Sequence, residues 1–327
     1  MMIPKCLIIG GAGFIGSYLV EHLVSRGVTV SVLDRGRDRL SELATRVPAL
    51  KCYTGDVEQA DLLADALLGC DVLIYLAHTT IPASAEHDPG NDIASNIFPL
   101  LKAITAAAKA GVRRIVLTSS GGTVYGRARH TPIPETHPTD PLCAYGICKL
   151  AIEKYTRLYA SCNKIESICL RLANPFGPGQ SMTGTQGAVS VFLGRILRGS
   201  AIDIWGDGSV VRDYVYIADV ASALEAAALA PLSEPHPVVN IGTGTGTSLT
   251  QLISVLEEAS ETRAQLRFQE ARELDVPTNI LDIGRAKLLL NYRPRYDLRQ
   301  GVKEYFASLR AQTRFPNPET QISSRFC

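Results

Sequence analysis

The sequence predicts an α/β protein built on a doubly wound parallel sheet, and three observations predict it. An apolar run, Leu7-Ile8-Ile9, leads into glycines, and a helical pattern (Phe14, Ile15, Tyr18, Leu19, Leu23) starts directly after them. Short apolar strands then alternate with helical stretches through the first half of the chain, the order that gives a parallel sheet covered on both faces. The second strand ends in an acidic residue, Asp34, about twenty positions past the glycines.

The glycine stretch is Gly10-Gly-Ala-Gly-Phe-Ile-Gly16. Gly11, Gly13 and Gly16 fit G-x-G-x-x-G, while Gly10, Gly13 and Gly16 fit the wider G-x-x-G-x-x-G spacing, and the pattern alone leaves both frames open. Strand, tight turn and helix in this order carry backbone N–H groups and a helix N-terminus up to a pyrophosphate, so a dinucleotide is the expected ligand. The helix is expected over 14–26, stopped by Gly27, and a strand over 28–33 stops at Asp34. A carboxylate there accepts hydrogen bonds from the adenosine ribose hydroxyls and repels a 2′-phosphate, which favours NAD over NADP. Arg35 and Arg37, just beyond, keep NADP open.

A third strand over 51–53 runs into Gly55-Asp56-Val57 and a helix at 58–68. The fourth, 71–76, ends at Leu76-Ala77-His78, and 92–110 carries the apolar stripe of an amphipathic helix (Ile93, Ile97, Leu100, Leu101, Ile104, Ala108). A fifth strand covers 114–118. A polar, loop-rich stretch with prolines at 132, 134, 138 and 141 follows, then a helix over 143–161 and a buried strand over 165–172. Beyond Asn174 the chain turns irregular. A helix near 187–198, a strand over 202–205 ending in Gly206-Asp207-Gly208, strand then helix across 215–230, a strand over 238–241, a helix over 248–259 and a helical turn at 286–291 are expected there. Residues 313–327 read as a polar surface tail.

Composition excludes several classes. A length of 327 residues allows one or two domains, and 46% apolar with 20% charged residues describes an ordinary globular chain. With a formal net charge of +1 and scattered basic residues there is no footprint for nucleic acid or an anionic membrane. No apolar run reaches the ~18–20 residues that cross a bilayer, and the early glycines interrupt any imitation of a signal peptide. The eight cysteines form no C-x-x-C, and several lie in apolar runs; they read as reduced thiols of a cytoplasmic protein. His78, His87, His130, His137 and His236 lack metal-ligand spacing, so no metal is expected and loop or structural roles are the default.

Tyr145 and Lys149 lie i, i+4 on a helix, a spacing that puts both side chains on one face. For a phenol with an ordinary pKa of about 10 to act as a base near neutrality, its anion needs about 4 kcal/mol of added stabilisation. A neighbouring ammonium and a nicotinium ring are able to supply it. Arg212 and Arg272 offer guanidinium forks for a diphosphate, or else salt bridges to Asp213 and Asp275.

Gly10 to Gly16, Ser119-Ser-Gly-Gly-Thr-Val-Tyr-Gly126, Tyr145-Gly-Ile-Cys-Lys149 and Arg171-Leu-Ala-Asn-Pro-Phe-Gly-Pro-Gly179 resemble the extended short-chain dehydrogenase/reductases. More narrowly, they resemble the NAD-dependent sugar-nucleotide epimerases and dehydratases, with the UDP-glucose 4-epimerase type nearest. Gly206 to Tyr216, Asn240-Ile-Gly-Thr-Gly244, and Arg272 with Asp275 and Pro277 extend the likeness, which covers about residues 3–310 in order.

The resemblance implies a Rossmann-type domain over 1–173 plus about 214–244, and a smaller discontinuous α/β substrate domain over 174–213 plus about 245–312. It implies bound NAD contacted by Gly10, Gly13, Phe14, Ile15, Gly16, Asp34, Asp56, Val57, Leu76, Ala77, Tyr145 and Lys149, and selects the frame Gly10, Gly13, Gly16. Tyr145 would take the proton of the sugar 4-hydroxyl as hydride leaves C4, and Lys149 would hold the nicotinamide ribose. Asn174, Trp205, Arg212, Arg272 and Asp275 would contact a nucleotide-sugar substrate, although Trp205 equally suits packing. A homodimer through the helices near 92–110 and 143–161 is implied.

One position departs from the pattern. Gly121 stands where relatives place the Ser or Thr that bonds the sugar 4-oxygen, so Thr123, then Ser120, is the expected replacement; both, with Ser119, also suit plain loop bonding. Gly122-Thr123 offers no acid where dehydratases carry one, which argues against elimination of water. A keto-sugar or small-carbonyl reductase and a non-catalytic NAD-binding protein remain the competing readings.

Overall fold

The computed structural model describes residues 4–271 and 276–314. The N-terminal half runs β1 (Cys6–Ile9), α1 (Phe14–Ser25), β2 (Val30–Asp34), α2 (Arg37–Arg46), β3 (Lys51–Thr54), α3 (Ala60–Leu67), β4 (Val72–Tyr75), α4 (Pro82–His87), α5 (Pro89–Lys109), β5 (Arg114–Ser120), α6 (Ala144–Cys162) and β6 (Glu166–Leu172). The remainder is β7 (Asn174–Phe176), α7 (Ala188–Leu197), β8 (Ile202–Trp205), β9 (Val211–Arg212), β10 (Tyr214–Tyr216), α8 (Ile217–Leu229), β11 (Val238–Ile241), β12 (Thr247–Ser248), α9 (Leu249–Ser260), β13 (Leu266–Gln269), β14 (Thr278–Asn279), α10 (Gly284–Leu290) and α11 (Leu298–Arg314).

Seven parallel strands form the main sheet in the order β11-β6-β5-β4-β1-β2-β3. This is the doubly wound Rossmann-like arrangement, and the chain reverses direction across the sheet at β1, between β2 and β4. Alternate residues of β1 enter opposite cores: Cys6 and Ile8 join one buried cluster, Leu7 and Ile9 the other. That period of two, with every residue apolar, is what a strand covered on both faces requires. Three smaller sheets, β10-β7, β12-β9-β14 and β13-β8, gather beyond the carboxyl ends of the main strands.

Elements legible in sequence lie within a few residues of expectation. Helix α2, strand β13 and helix α11 go beyond it. Helix α2 buries only Leu40 and Leu43, too narrow a stripe to read reliably. Strand β13 is exposed along its whole length, so no burial pattern marks it; pairing with β8 makes it a strand. The tail beyond residue 314 lies outside the described residues.

Helix α6 is fixed to the sheet by a buried ion pair. Glu153 accepts two hydrogen bonds from Arg171 of β6, at 3.0 and 2.7 Å, with 2% and 4% side-chain exposure. Breaking one half strands a buried charge. Glu153→Ala is expected to lower folding stability by about 3–5 kcal/mol in chemical denaturation, far more than any exposed ion pair here would give.

Candidate active site

The turn between β1 and α1 is shaped by Gly10, whose φ of +83° belongs to the left-handed region and whose absent Cβ would lie 2.6 Å from the Ala77 nitrogen. Gly16 lets α1 approach the turn: a Cβ there would lie 2.4 Å from the Gly10 carbonyl oxygen. Gly13 is the N-cap, and a Cβ on it would meet nothing closer than 3.4 Å, which leaves the helix end open to a ligand. Helix α1 has no capping side chain and no acidic residue in its first turn, so the positive end of its dipole is uncompensated by side chains.

Asp34 closes the other side. Its two oxygens accept the Ala12 and Gly36 N–H groups, each at 2.9 Å, leaving further lone pairs for a diol. Arg35, the residue that kept a 2′-phosphate open, points its guanidinium 3.5 Å from Asp56, and Val57 beyond it is buried. Leu76 N–H bonds the Ile9 carbonyl, which holds Leu76-Ala77 against the glycine turn. These residues fit NAD: a helix end bare of side chains, a cradle that Cβ atoms would fill, and a carboxylate at the second strand's tip.

A cleft of about 1490 Å³ opens between the main sheet and the smaller sheets. Phe14, Ile15, Ser119, Ser120, Thr123, Tyr145, Lys149, Asn174, Trp205 and Arg212 all line it. Lys149 Nζ lies 5.6 Å from the Tyr145 ring centroid and donates to the Thr118 carbonyl at 3.5 Å. Burial pulls the lysine down to about 8. Burial first, then Asp92, push the tyrosine phenol upward, the reverse of what a base needs. Added positive charge beside the ring would favour the phenolate.

Gly121 has a structural reason. A Cβ there would lie 2.5 Å from Leu281 Cδ1 and 3.2 Å from the Leu172 carbonyl oxygen. Its own N–H and carbonyl are held by Leu172 and Asn279, at 2.7 and 3.1 Å. A side chain at this position would require the Leu281 methyl groups to move. Thr123 Oγ1 and Ser119 Oγ are buried without a hydrogen-bond partner among the described residues, while Ser120 is half-buried in the same wall.

The cleft also holds His78, a residue assigned a default loop role from sequence. Its ring meets Tyr145 edge to face, 4.9 Å between centroids. Nε2 lies 3.2 Å from Thr80 Oγ1, whose hydroxyl donates to buried Asp92, and Asn96 also donates to Asp92, at 3.0 Å. Burial, then Lys149, hold the imidazole down to about 2, so it stays neutral. The one available signal was position: His78 follows the carboxyl end of a parallel strand, where ligands of such sheets lie.

On the far wall, Asn174 Nδ2 donates to the Asp213 carbonyl at 3.0 Å, and Trp205 is 40% exposed. Arg212 donates to the Val211 and Val276 carbonyls, at 2.9 and 2.7 Å. The Asp213 carboxylate is buried and accepts from Thr243 and Gly244. Arg272 and Asp275 lie outside the described residues.

Known proteins resemble this chain along most of its length. The NAD dependent epimerase/dehydratase family matches residues 6–242. A UDP-glucose 4-epimerase of Mycolicibacterium smegmatis is 33% identical over 91% of this chain and 96% of its own length. A dTDP-4-dehydro-6-deoxyglucose reductase of Escherichia coli is 32% identical over 94% and 98%. The crystal structure of a UDP-glucose 4-epimerase of Thermotoga maritima with UDP-glucose superposes with a TM-score of 0.88 at 33% identity, covering 94% of this chain and 99% of that one. This chain belongs to the NAD-dependent epimerase/dehydratase family.

Proposed function

We propose that this protein is an NAD-dependent epimerase that inverts C4 of a UDP-linked hexose through a transient 4-keto sugar. The observation that carries the reading is one cleft running from the phosphate-binding turn past Tyr145 and Lys149 to Asn174, Trp205 and Arg212. Tyr145 takes the proton of the sugar 4-hydroxyl and returns it after the sugar has turned over. Lys149 binds the nicotinamide ribose and favours the phenolate by its charge. NAD, when bound, would supply the hydride acceptor and donor for C4. Asp34 holds the adenosine ribose, with Asp56, Val57, Leu76 and Ala77 along the same edge; Arg212, with Arg272 and Asp275, holds the diphosphate.

Thr123 replaces the hydroxyl that Gly121 lacks, and its unpartnered Oγ1 supports this choice. Thr123→Ala is expected to lower kcat by roughly ten- to a thousandfold. If Ser120→Ala is damaging and Thr123→Ala harmless, Ser120 has that task instead. The Escherichia coli relative favours a second reading, a keto-sugar reductase. Steady consumption of reduced cofactor would select it.

The division into domains at 1–173 with 214–244, and 174–213 with 245–312, belongs to the same proposal; β11 completes the main sheet while β8 and β9 lie outside it, and the β10–β7 pair bridges the two parts. To the same proposal belongs a homodimer through α5 and α6, whose outer faces expose Ile93, Phe98, Ile147, Tyr155 and Leu158 at 41–59%. A cytoplasmic site of action is supported by free thiols at all seven described cysteines. Among the described residues no helix is long and apolar enough to cross a membrane.

A further inference from the structure

The charged side chains of the cleft are unevenly placed. Among the described lining residues they are Glu86, Lys149, Arg195, Asp203 and Arg212. Arg195 pairs with Asp203 at 3.0 Å and donates to the Ala201 carbonyl at 2.7 Å. With Arg212 they belong to α7, β8 and β9, on the wall opposite the main sheet. Lys149 is buried and donates to the Thr118 carbonyl.

Beside Tyr145 the exposed charge is Glu86, on α4. Its Oε2 accepts the N–H of Ala144, the residue preceding Tyr145, at 3.0 Å. The N-cap residue of α6, Cys143, makes no side-chain cap bond, so a carboxylate from another element serves this helix end. That bond fixes where the charge sits. The carboxylate keeps further acceptor capacity, since one hydrogen bond uses one of about four lone-pair positions. Sugar hydroxyls donate well to such a group. A sugar carboxylate meets a like charge there, with no exposed cation beside it among the described lining residues to offset the repulsion.

We propose that Glu86 is a specificity-determining residue that selects a nucleotide sugar with an uncharged hexose and rejects one carrying a carboxylate at C6. The proposal rests on the nucleotide-sugar reading of the cleft. Screening by salt weakens an exposed charge without abolishing it, so the discrimination is expected to be moderate and salt-dependent.

The test is calorimetric titration of the NAD-loaded protein with UDP-glucose and with UDP-glucuronic acid, for the natural chain and Glu86→Gln. The natural protein is expected to bind UDP-glucose at least about tenfold more tightly, a gap that narrows as salt rises. Glutamine keeps an acceptor for the Ala144 N–H and removes the charge, so Glu86→Gln is expected to close most of the gap by tightening the uronate. Equal affinities in the natural protein, a gap indifferent to salt, or an unchanged gap in Glu86→Gln would each overturn the proposal. The salt series keeps it testable should the variant fold poorly. Selective binding of UDP-glucose without formation of its 4-epimer would retire the proposed reaction and leave the charge selection standing. Binding of neither sugar would retire both.

Discussion

Tyr145→Phe is expected to reduce turnover by about a hundred- to ten-thousandfold while the protein keeps its NAD. The substitution removes only the phenolic oxygen. The ring that meets His78 edge to face at 4.9 Å stays, and so does the contact with Lys149. The dinucleotide cradle is built from the β1–α1 turn and Asp34, which the change does not touch. Release of cofactor by denaturation, quantified beside the initial rate, separates the two effects. Near-normal turnover would remove Tyr145 as the base. Loss of NAD together with activity would mean that the tyrosine acts mainly through cofactor binding. Because burial raises the phenol pKa without ligand, the apoprotein should show no tyrosinate absorbance near neutral pH; ionisation should depend on the oxidised cofactor.

The second large effect is expected at the other end of the cleft. Gly16→Ala places a Cβ 2.4 Å from the Gly10 carbonyl oxygen and 2.6 Å from Gly11 Cα. Both neighbours are backbone, so no side chain is able to swing aside. Helix α1 must move away from the turn, and its N-terminal N–H groups move with it. Overpacking of this kind costs about 1–3 kcal/mol of stability. The loss of NAD is expected to be nearly complete, because pyrophosphate recognition depends on where those N–H groups stand. Cofactor content of the purified variant and its thermal midpoint check the two parts separately. Full NAD content would show that close packing of Gly16 is not what builds the cradle.

What could be read in advance was whatever local spacing determines. The glycine turn, the alternation of strands and helices, and Tyr145 four residues before Lys149 are each written locally, and the cleft is lined by Phe14 and Ile15 just after the turn together with Tyr145 and Lys149. Gly121 was visible as a departure, but its cause was not: the side chain that a Cβ would meet is Leu281, about 160 positions away. His78 and Glu86 carried no local signal either. One acquires meaning only when β4 ends beside α6, and the other only when α4 packs on the N-terminus of that helix. The short strands β7, β9, β12 and β14 are two or three residues long and exist through their partners, so no periodicity announces them. Burial is likewise invisible in the spacing of Tyr145 and Lys149: desolvation raises the phenol and lowers the ammonium.

Epimerisation of a UDP-hexose requires no net oxidation or reduction of NAD over a turnover. It is tested most directly by incubating the purified protein with UDP-glucose and following the sugar by NMR and the cofactor by absorbance in the same sample. UDP-galactose is expected to accumulate to a constant ratio with no net change in NADH. Steady consumption or production of reduced cofactor with no C4 epimer would contradict it and leave the reductase reading in its place.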